Sequence, residues 1–356
     1  MITINFVGDI SLNNKYEKMY YNGINPFREV ETIFSHSDYN IGNLECLCDN
    51  RGGVNHLKNP RLRTVPDTLH LLSPLRFDIL SLAHNHIYDA LEYGIECTCT
   101  EIKQLGADYI GYNPDEQTSL FMKYIKIKGK LFAIITALHP DTNPHIPEDV
   151  QLNIPVYSKE ILLKCIDEAK EKSAFTILFL HWGGRVEEGF MTDWYQIRDS
   201  RSFIDNGADL VIGGHSHTVQ PYEIYKGKYI FYSLGNFCFD DIVNDGIVYS
   251  IGRFRKRRGI IVTVMISEQD DSYTTKITPV INRKCYIKPY ASYRLNIQVR
   301  NAFFYFIKRY RWLWKINFKL FRKFSPLYLY IIENTDSLSV KFSKFSMGKV
   351  LKHIKK

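Results

Sequence analysis

Over residues 1–252, short apolar runs alternate with stretches whose apolar positions recur at helical spacing. The runs Ile2–Val7, Ser37–Ile41, Phe77–Leu82, Phe175–Leu180 and Ala208–Ile212 carry β-branched and aromatic residues between Gly or polar clusters. That pattern predicts strands. Tyr124–Ile127, Leu131–Ala137 and Tyr229–Ser233 extend the series. Helices are predicted over Pro66–Leu72, Ala90–Leu105, Ser158–Lys172 and Thr192–Asn206, and Gly106 and Gly207 stand where a helix stops. Such alternation predicts an α/β domain with its sheets buried under helices. Residues 138–157, rich in Pro, Asp and Asn, read as a long loop at the rim of a site. Ile260–Ile266 and Tyr273–Ile281 predict a further strand pair joined by the polar turn Ser267–Ser272.

The C-terminal part is patterned differently. At helical spacing, residues 300–323 place Lys308, Arg311, Lys315, Lys319 and Arg322 on one side. Phe303, Phe306, Tyr310, Leu313, Trp314 and Phe321 fall on the other, with Phe304 and Trp312 intruding on the basic face. A basic helix with a Trp/Phe/Leu face is the pattern of an interfacial membrane helix, drawn to anionic lipid. A helix packed on the main domain with a solvated basic face has the same periodicity. The expected organisation is a main domain over residues 1–290 and a basic, aromatic, mainly helical extension over 291–356.

Charge sharpens that division. The net charge of +8 combines 24 Lys+Arg against 5 Asp+Glu from Arg253 onward with 22 against 33 in residues 1–252. This asymmetry predicts a basic appendage suited to an acidic partner surface. Hydrophobic content of 45% allows a sizeable core. No run approaches the roughly 18 apolar residues of a membrane-spanning helix. The start lacks the basic stretch, apolar core and cleavage site of a secretory signal, so a cytoplasmic chain with reduced thiols is expected. Cys46-Leu-Cys48 and Cys97-Thr-Cys99 have the wrong spacing for the usual structural zinc pairs.

The residues that end the predicted strands carry the chemistry. Ligands of open α/β sheets bind outside the carboxyl ends of the strands. Here those ends are Gly8-Asp9, Gly42-Asn43-Leu44-Glu45, His84-Asn85-His86 with Asp89, His181-Trp182-Gly183, and Gly213-Gly214-His215-Ser216-His217. Taken singly, Asp9 fits a turn, Glu45 a surface carboxylate and His181 a core histidine. Taken together they point to one assembled metal site, because imidazole and carboxylate ligands converge. Ser216 lacks the G-x-S-x-G surround of a nucleophile and reads as a turn residue. Asp89, Arg185, Glu187, Glu188 and Gln196 are expected to line the pocket. Asn236, after Leu234-Gly235, shapes the loop over the site or stabilises its turn.

These segments, with Ser233-Leu-Gly-Asn-Phe237, resemble the motifs of the CapA family, the poly-γ-glutamate capsule biosynthesis proteins. Ser81-Leu-Ala before the Asn85-His86 pair, Asp205-Asn-Gly-Ala-Asp209 before the paired histidines and Gln220-Pro221 after them fit as well. The resemblance covers about residues 1–243. It implies a four-layer α/β/β/α metallophosphatase-like sandwich, similar to the calcineurin-like phosphoesterases, with one or two divalent ions (Mn, Fe or Zn). Carried over, Asp9 and His217 bind one metal, Asn85, His181 and His215 the other, and Glu45 bridges them. His86 would stand near the substrate as a general acid or as a hydrogen-bond donor to its phosphate. Two departures separate the chain from the wider phosphoesterase pattern. Ser11 stands where Asp-x-His would put an imidazole, and Glu45 is longer than the usual Asp.

Three functions are therefore weighed. The first is a metal-dependent hydrolase acting on a phosphorylated small molecule or glycan, or on an anionic polymer. The second is a non-catalytic, membrane-associated component that holds, guides or exports an anionic polymer and keeps the metal site as a binding pocket, with residues 300–323 facing an anionic membrane surface. The third, nucleic-acid binding by the basic aromatic tail, has charge and stacking residues but no recognised motif.

Overall fold

Alternation within single strands decides the architecture. In Lys130–Leu138, Phe132 and Ile134 join a core shared with Ile4, Phe6 and Ile41, whereas Ala133, Ile135 and Ala137 join Leu162, Ile166 and Phe203. Successive side chains point to opposite faces, so a strand that is apolar on both faces must be covered on both. The computed structural model describes residues 1–114, 120–252 and 255–328.

Two sheets form the middle layers. The larger runs in the order Tyr286–Pro289, Tyr273–Arg283, Arg258–Ile266, Ile2–Ile10, Tyr39–Leu44, Ile79–Ser81 and Asp108–Ile110, and Asn236–Cys238 pairs with the end of Ile2–Ile10. The smaller runs Tyr222–Tyr225, Lys228–Phe231, Leu210–Gly214, Phe175–His181, Lys130–Leu138 and Met122–Ile127. Ile2, Phe6 and Val262 of one meet Phe132, Ile177 and Ile212 of the other in a common core.

Helices cover the two outer faces. On the larger sheet lie α1 (Lys15–Tyr21), α2 (Glu31–Ser35), a 3₁₀ segment (Pro66–Leu75) and α3 (Leu91–Gln104), burying Tyr16, Phe34, Leu72 and Ile95 against Val7 and Leu80. On the smaller lie α4 (Lys159–Glu171), α5 (Trp194–Asp205), α6 (Tyr293–Ile307) and α7 (Arg311–Tyr328). The result fits the α/β metallophosphatase-like sandwich of four layers. Ser158 caps α4 through the Ile161 amide, and Asp193 with Gln196 forms a capping box on α5. Gly106 and Gly207 follow helices at positive φ, where a side chain would be strained.

The C-terminal pattern needs correcting. The single helix expected over 300–323 is two helices, broken between Ile307 and Arg311. Phe304 and Ile307 of the first helix and Trp314 and Phe318 of the second are buried, whereas Phe303, Phe306 and Tyr310 are exposed. Trp314 Nε1 donates to the Thr192 carbonyl at 3.1 Å, and Lys308 Nζ donates to buried Glu223 at 2.8 Å. The part of the extension beyond residue 328 lies outside the described residues. No described helix is long and apolar enough to cross a membrane.

Parallel pairing positions the site. Asp9 lies in register with Asn43 across the larger sheet, and Gly214 with His181 across the smaller. The carboxyl ends of both sheets therefore deliver their polar residues to one edge.

Candidate metal centre

Glu45, which follows Tyr39–Leu44, is buried at this edge among imidazoles. Its Oε1 is 3.7 Å from His181 Nε2, 3.7 Å from His217 Nε2 and 4.0 Å from His86 Nε2. His181 Nε2 is also 2.9 Å from Asn85 Oδ1 and 3.1 Å from His215 Nδ1. Ligand atoms that share one ion at bonds of roughly 2.0–2.2 Å stand about 3–4 Å apart, so Asn85, His181, His215 and Glu45 have the spacing of a coordination shell. The ligand atoms of Glu45, His215 and His217 all lie within 4.8 Å of one another.

Asp9 sits on the far side of His217. Its Oδ2 is 3.3 Å from His217 Nδ1, while Glu45 faces the opposite ring nitrogen. Asp9 also accepts from Asn43 Nδ2 at 2.8 Å and from the His215 amide. Asn43 Nδ2 lies 3.2 Å from His181 Nδ1 too, tying the two sheets together behind the ligands. Gly214 allows this approach, because a Cβ there would stand 2.9 Å from Asp9 Oδ1. His215 and His217 adopt φ of 86° and 56°, left-handed conformations that cost about 1–3 kcal/mol each and persist where the surroundings impose them.

The residues fit a divalent cation. Both Glu45 oxygens and His215 Nε2 are buried with no hydrogen-bond partner. Buried polar atoms are nearly always paired, and mixed N/O donors suit Mn, Fe or Zn. Beside the ligands a cavity of about 430 Å³ is lined by Asn85, His86, His217, Lys58, Lys256 and Glu187, among others.

The family of bacterial capsule synthesis proteins named PGA_cap matches residues 3–241 of the chain. The chain belongs to this family. Its curated relatives include the PGA biosynthesis protein CapA of Bacillus subtilis (strain 168), 29% identical over 260 residues, which cover 67% of this chain and 64% of that one. The capsule biosynthesis protein CapA of Bacillus anthracis is 28% identical over 248 residues, covering 67% and 60%. The chain thus spans less than two thirds of the length of either relative. Among solved structures, the NAD nucleotidase of Haemophilus influenzae aligns with TM-score 0.44 and 12% identity, over 79% of this chain and 50% of that one. The 5′-nucleotidase precursor of Thermus thermophilus aligns with TM-score 0.40 and 13% identity, over 78% and 54%.

Electrostatics in this PGA_cap chain separate the histidines. Burial, then neighbouring charges, hold His181, His215 and His86 well below the ordinary imidazole range. They are neutral near pH 7, the form that binds metal. Burial opposes charge on His217 as well, but Glu45 and Asp9 outweigh it and raise the ring to about 10. Burial also pushes Glu45 well above the usual carboxylate range. In Asp89, burial outweighs the Leu62 amide and the Lys58 charge and lifts the carboxyl to about 8.

Some expected pocket residues lie elsewhere. Gln196 is spent on the cap of α5, bonding Thr192 and the Asp193 amide. Arg185 pairs with Asp193 and does not line the cavity. Asp89 stands behind His86, whereas Glu187 and Glu188 do line the cavity. His84 is fully buried beside His181, its ring 6.3 Å away, and accepts from the His86 amide. Lys58, 5% exposed on the cavity wall, escaped the sequence reading because it lies between strands in a segment with no motif.

Proposed function

We propose that this chain is a divalent-metal-dependent hydrolase of the phosphoesterase kind, acting in capsule or exopolysaccharide biosynthesis. The observation that carries the reading is Glu45, buried with both oxygens unpartnered inside a ring of imidazoles that opens on a cavity. Asn85, His181, His215 and Glu45 would hold one ion, and Asp9, His217 and Glu45 a second. Such ions supply a water of lowered pKa and polarise a phosphoryl oxygen. Asn43 keeps Asp9 and His181 in place. Asp89, its carboxyl still protonated near neutrality, donates to His86 Nδ1, so the neutral ring carries its proton on Nε2 at the cavity and can pass it to the leaving oxygen while Asp89 returns one to Nδ1. Lys58 and Lys256 give that wall positive charge suited to an anionic substrate. In this reading the substrate is a phosphorylated small molecule or glycan, or an anionic polymer such as poly-γ-glutamate. The protein works in the cytoplasm, at the inner face of the membrane.

The test is metal-loaded protein assayed on generic phosphomonoesters and phosphodiesters. Turnover that His217→Ala and Asn85→Ala abolish, with the fold intact, supports the proposal. Absence of hydrolysis across phosphate, amide and glycan-phosphate substrates overturns it. A second reading, a non-catalytic polymer-holding component, draws on the basic exposed side chains of α7. It expects Arg311→Ala and Lys315→Ala to harm capsule production in cells more than substitutions of the metal ligands do.

A further inference from the structure

Helices α6 and α7 each turn a stripe of large apolar side chains to solvent. On α6, Leu295, Val299, Phe303 and Phe306 recur once per turn and are 42–68% exposed. On α7, Trp312, Ile316, Leu320 and Phe324 repeat every four residues and are 47–60% exposed. The domain is served by other faces of the same helices, through Tyr293, Ile297, Phe304 and Ile307 and through Trp314 and Phe318. Apolar surface of this extent marks an interaction site.

Charge identifies the occupant. The sequence has no acidic residue between Asp271 and Glu333, and Arg309, Arg311, Lys315, Lys319, Arg322 and Lys323 are exposed beside the stripes. The acidic half of a second copy could answer the charge but not the apolar surface. Among the described residues outside these helices, exposed large apolar side chains come mostly one to an element; the hairpin Ile242–Tyr249 has three. A bilayer answers both demands, taking Trp, Phe and Leu at the acyl boundary and Lys and Arg among anionic headgroups.

We propose that the exposed faces of α6 and α7 dock this protein on an anionic lipid bilayer. The inference rests on the peripheral location read above and is independent of the chemistry at the metal centre. With no described helix able to cross a membrane, these helices lie in the plane of the interface.

Full-length protein is sedimented with phosphatidylcholine vesicles, with and without phosphatidylglycerol. The expected result is binding to the anionic vesicles alone. It falls more than tenfold in the double variant Phe303→Glu/Trp312→Glu, and about fivefold for each of Lys315→Ala and Lys319→Ala. Unchanged circular dichroism and metal content show that the variants are folded. No binding to either vesicle overturns the proposal. So does self-association that the double variant abolishes without vesicle binding, or RNA binding in preference to vesicles. Because no hydrolysis is measured, failure here is distinct from failure of the hydrolase reading.

Discussion

Asp89 Oδ2 stands 2.6 Å from His86 Nδ1, and the same oxygen accepts from the Leu62 amide at 2.6 Å. The carboxyl is thus fixed from behind and in turn fixes the imidazole that borders the cavity. Partners that orient a site imidazole are typically worth about 10–100-fold in activity or metal affinity. Asp89→Asn should lower kcat by about that factor with metal content unchanged, and should displace the pH–rate profile. Metal analysis beside steady-state kinetics checks this. Loss of metal in step with activity would show that Asp89 supports the ligands rather than His86.

The two halves of the centre should differ in affinity. His181 Nε2 has Asn85 Oδ1, His215 Nδ1 and Glu45 Oε1 around a single nitrogen. His217 instead meets Asp9 and Glu45 through opposite nitrogens, and Ser11 supplies no imidazole. Elemental analysis after mild chelation should find about one ion per chain, the general expectation for one closed and one incomplete ligand set. His181→Ala should lose that ion, whereas Asp9→Ala should keep it. The reverse order would refute the assignment of the two halves.

Proton competition at His217 predicts the pH dependence of metal binding. Its ring is raised to about 10, so near neutrality it holds a proton that an incoming ion must displace. As pH rises toward 10 that competition is removed, and affinity should increase by up to about tenfold per pH unit for each proton displaced. The same shift stabilises the metal-free fold fully below the unfolded value of about 6.5, and this contribution is lost as pH rises through the folded value. Titration calorimetry in buffers of different ionisation enthalpy measures the proton release. Metal affinity independent of pH would contradict the coupling.

Strand ends were legible in the sequence because a parallel α/β domain puts its ligands there, and each of Asp9, Glu45, Asn85, His181, His215 and His217 follows or closes an apolar run. The structure brings all six to one edge, together with His86. Contacts between segments remote in sequence were not legible. Nothing in Asn43 announces that it reaches His181 on the other sheet. Nothing in residues 300–323 announces a break near Lys308, because both helices carry aromatic and basic residues at similar intervals. Periodicity gives the spacing of an apolar face but not which face the domain takes. Phe304 is buried and Phe303 exposed because α6 turns the face bearing Ile297, Asn301, Phe304 and Ile307 to the domain.

Lys58 is the cavity cation most withdrawn from solvent. Its Nζ donates to the Asn143 carbonyl at 2.7 Å. A charged hydrogen bond to substrate is worth about 1.5–3 kcal/mol, which is roughly 10–150-fold in affinity. Lys58→Met should therefore raise KM for an anionic substrate by about that factor while leaving kcat and metal content near wild type. An equal fall in kcat would place Lys58 in the transition state instead.

Trp314 fastens α7 to the domain. It is 7% exposed, stacks on Phe318 with ring centroids 4.9 Å apart, and donates from Nε1 to the Thr192 carbonyl at 3.1 Å. Trp314→Ala removes a buried aromatic side chain, a change that costs about 3–5 kcal/mol when the surroundings relax only partly. Trp314→Phe keeps most of the packing and loses the hydrogen bond, with a smaller cost of about 0.5–1.5 kcal/mol. Urea unfolding of the two variants should rank them in that order, with metal content unchanged in both, because Thr192 lies outside the ligand set. If Trp314→Ala shifts the midpoint no more than Trp314→Phe, packing of α7 contributes little to the fold, and its attachment rests instead on contacts such as Phe321 against Gly189.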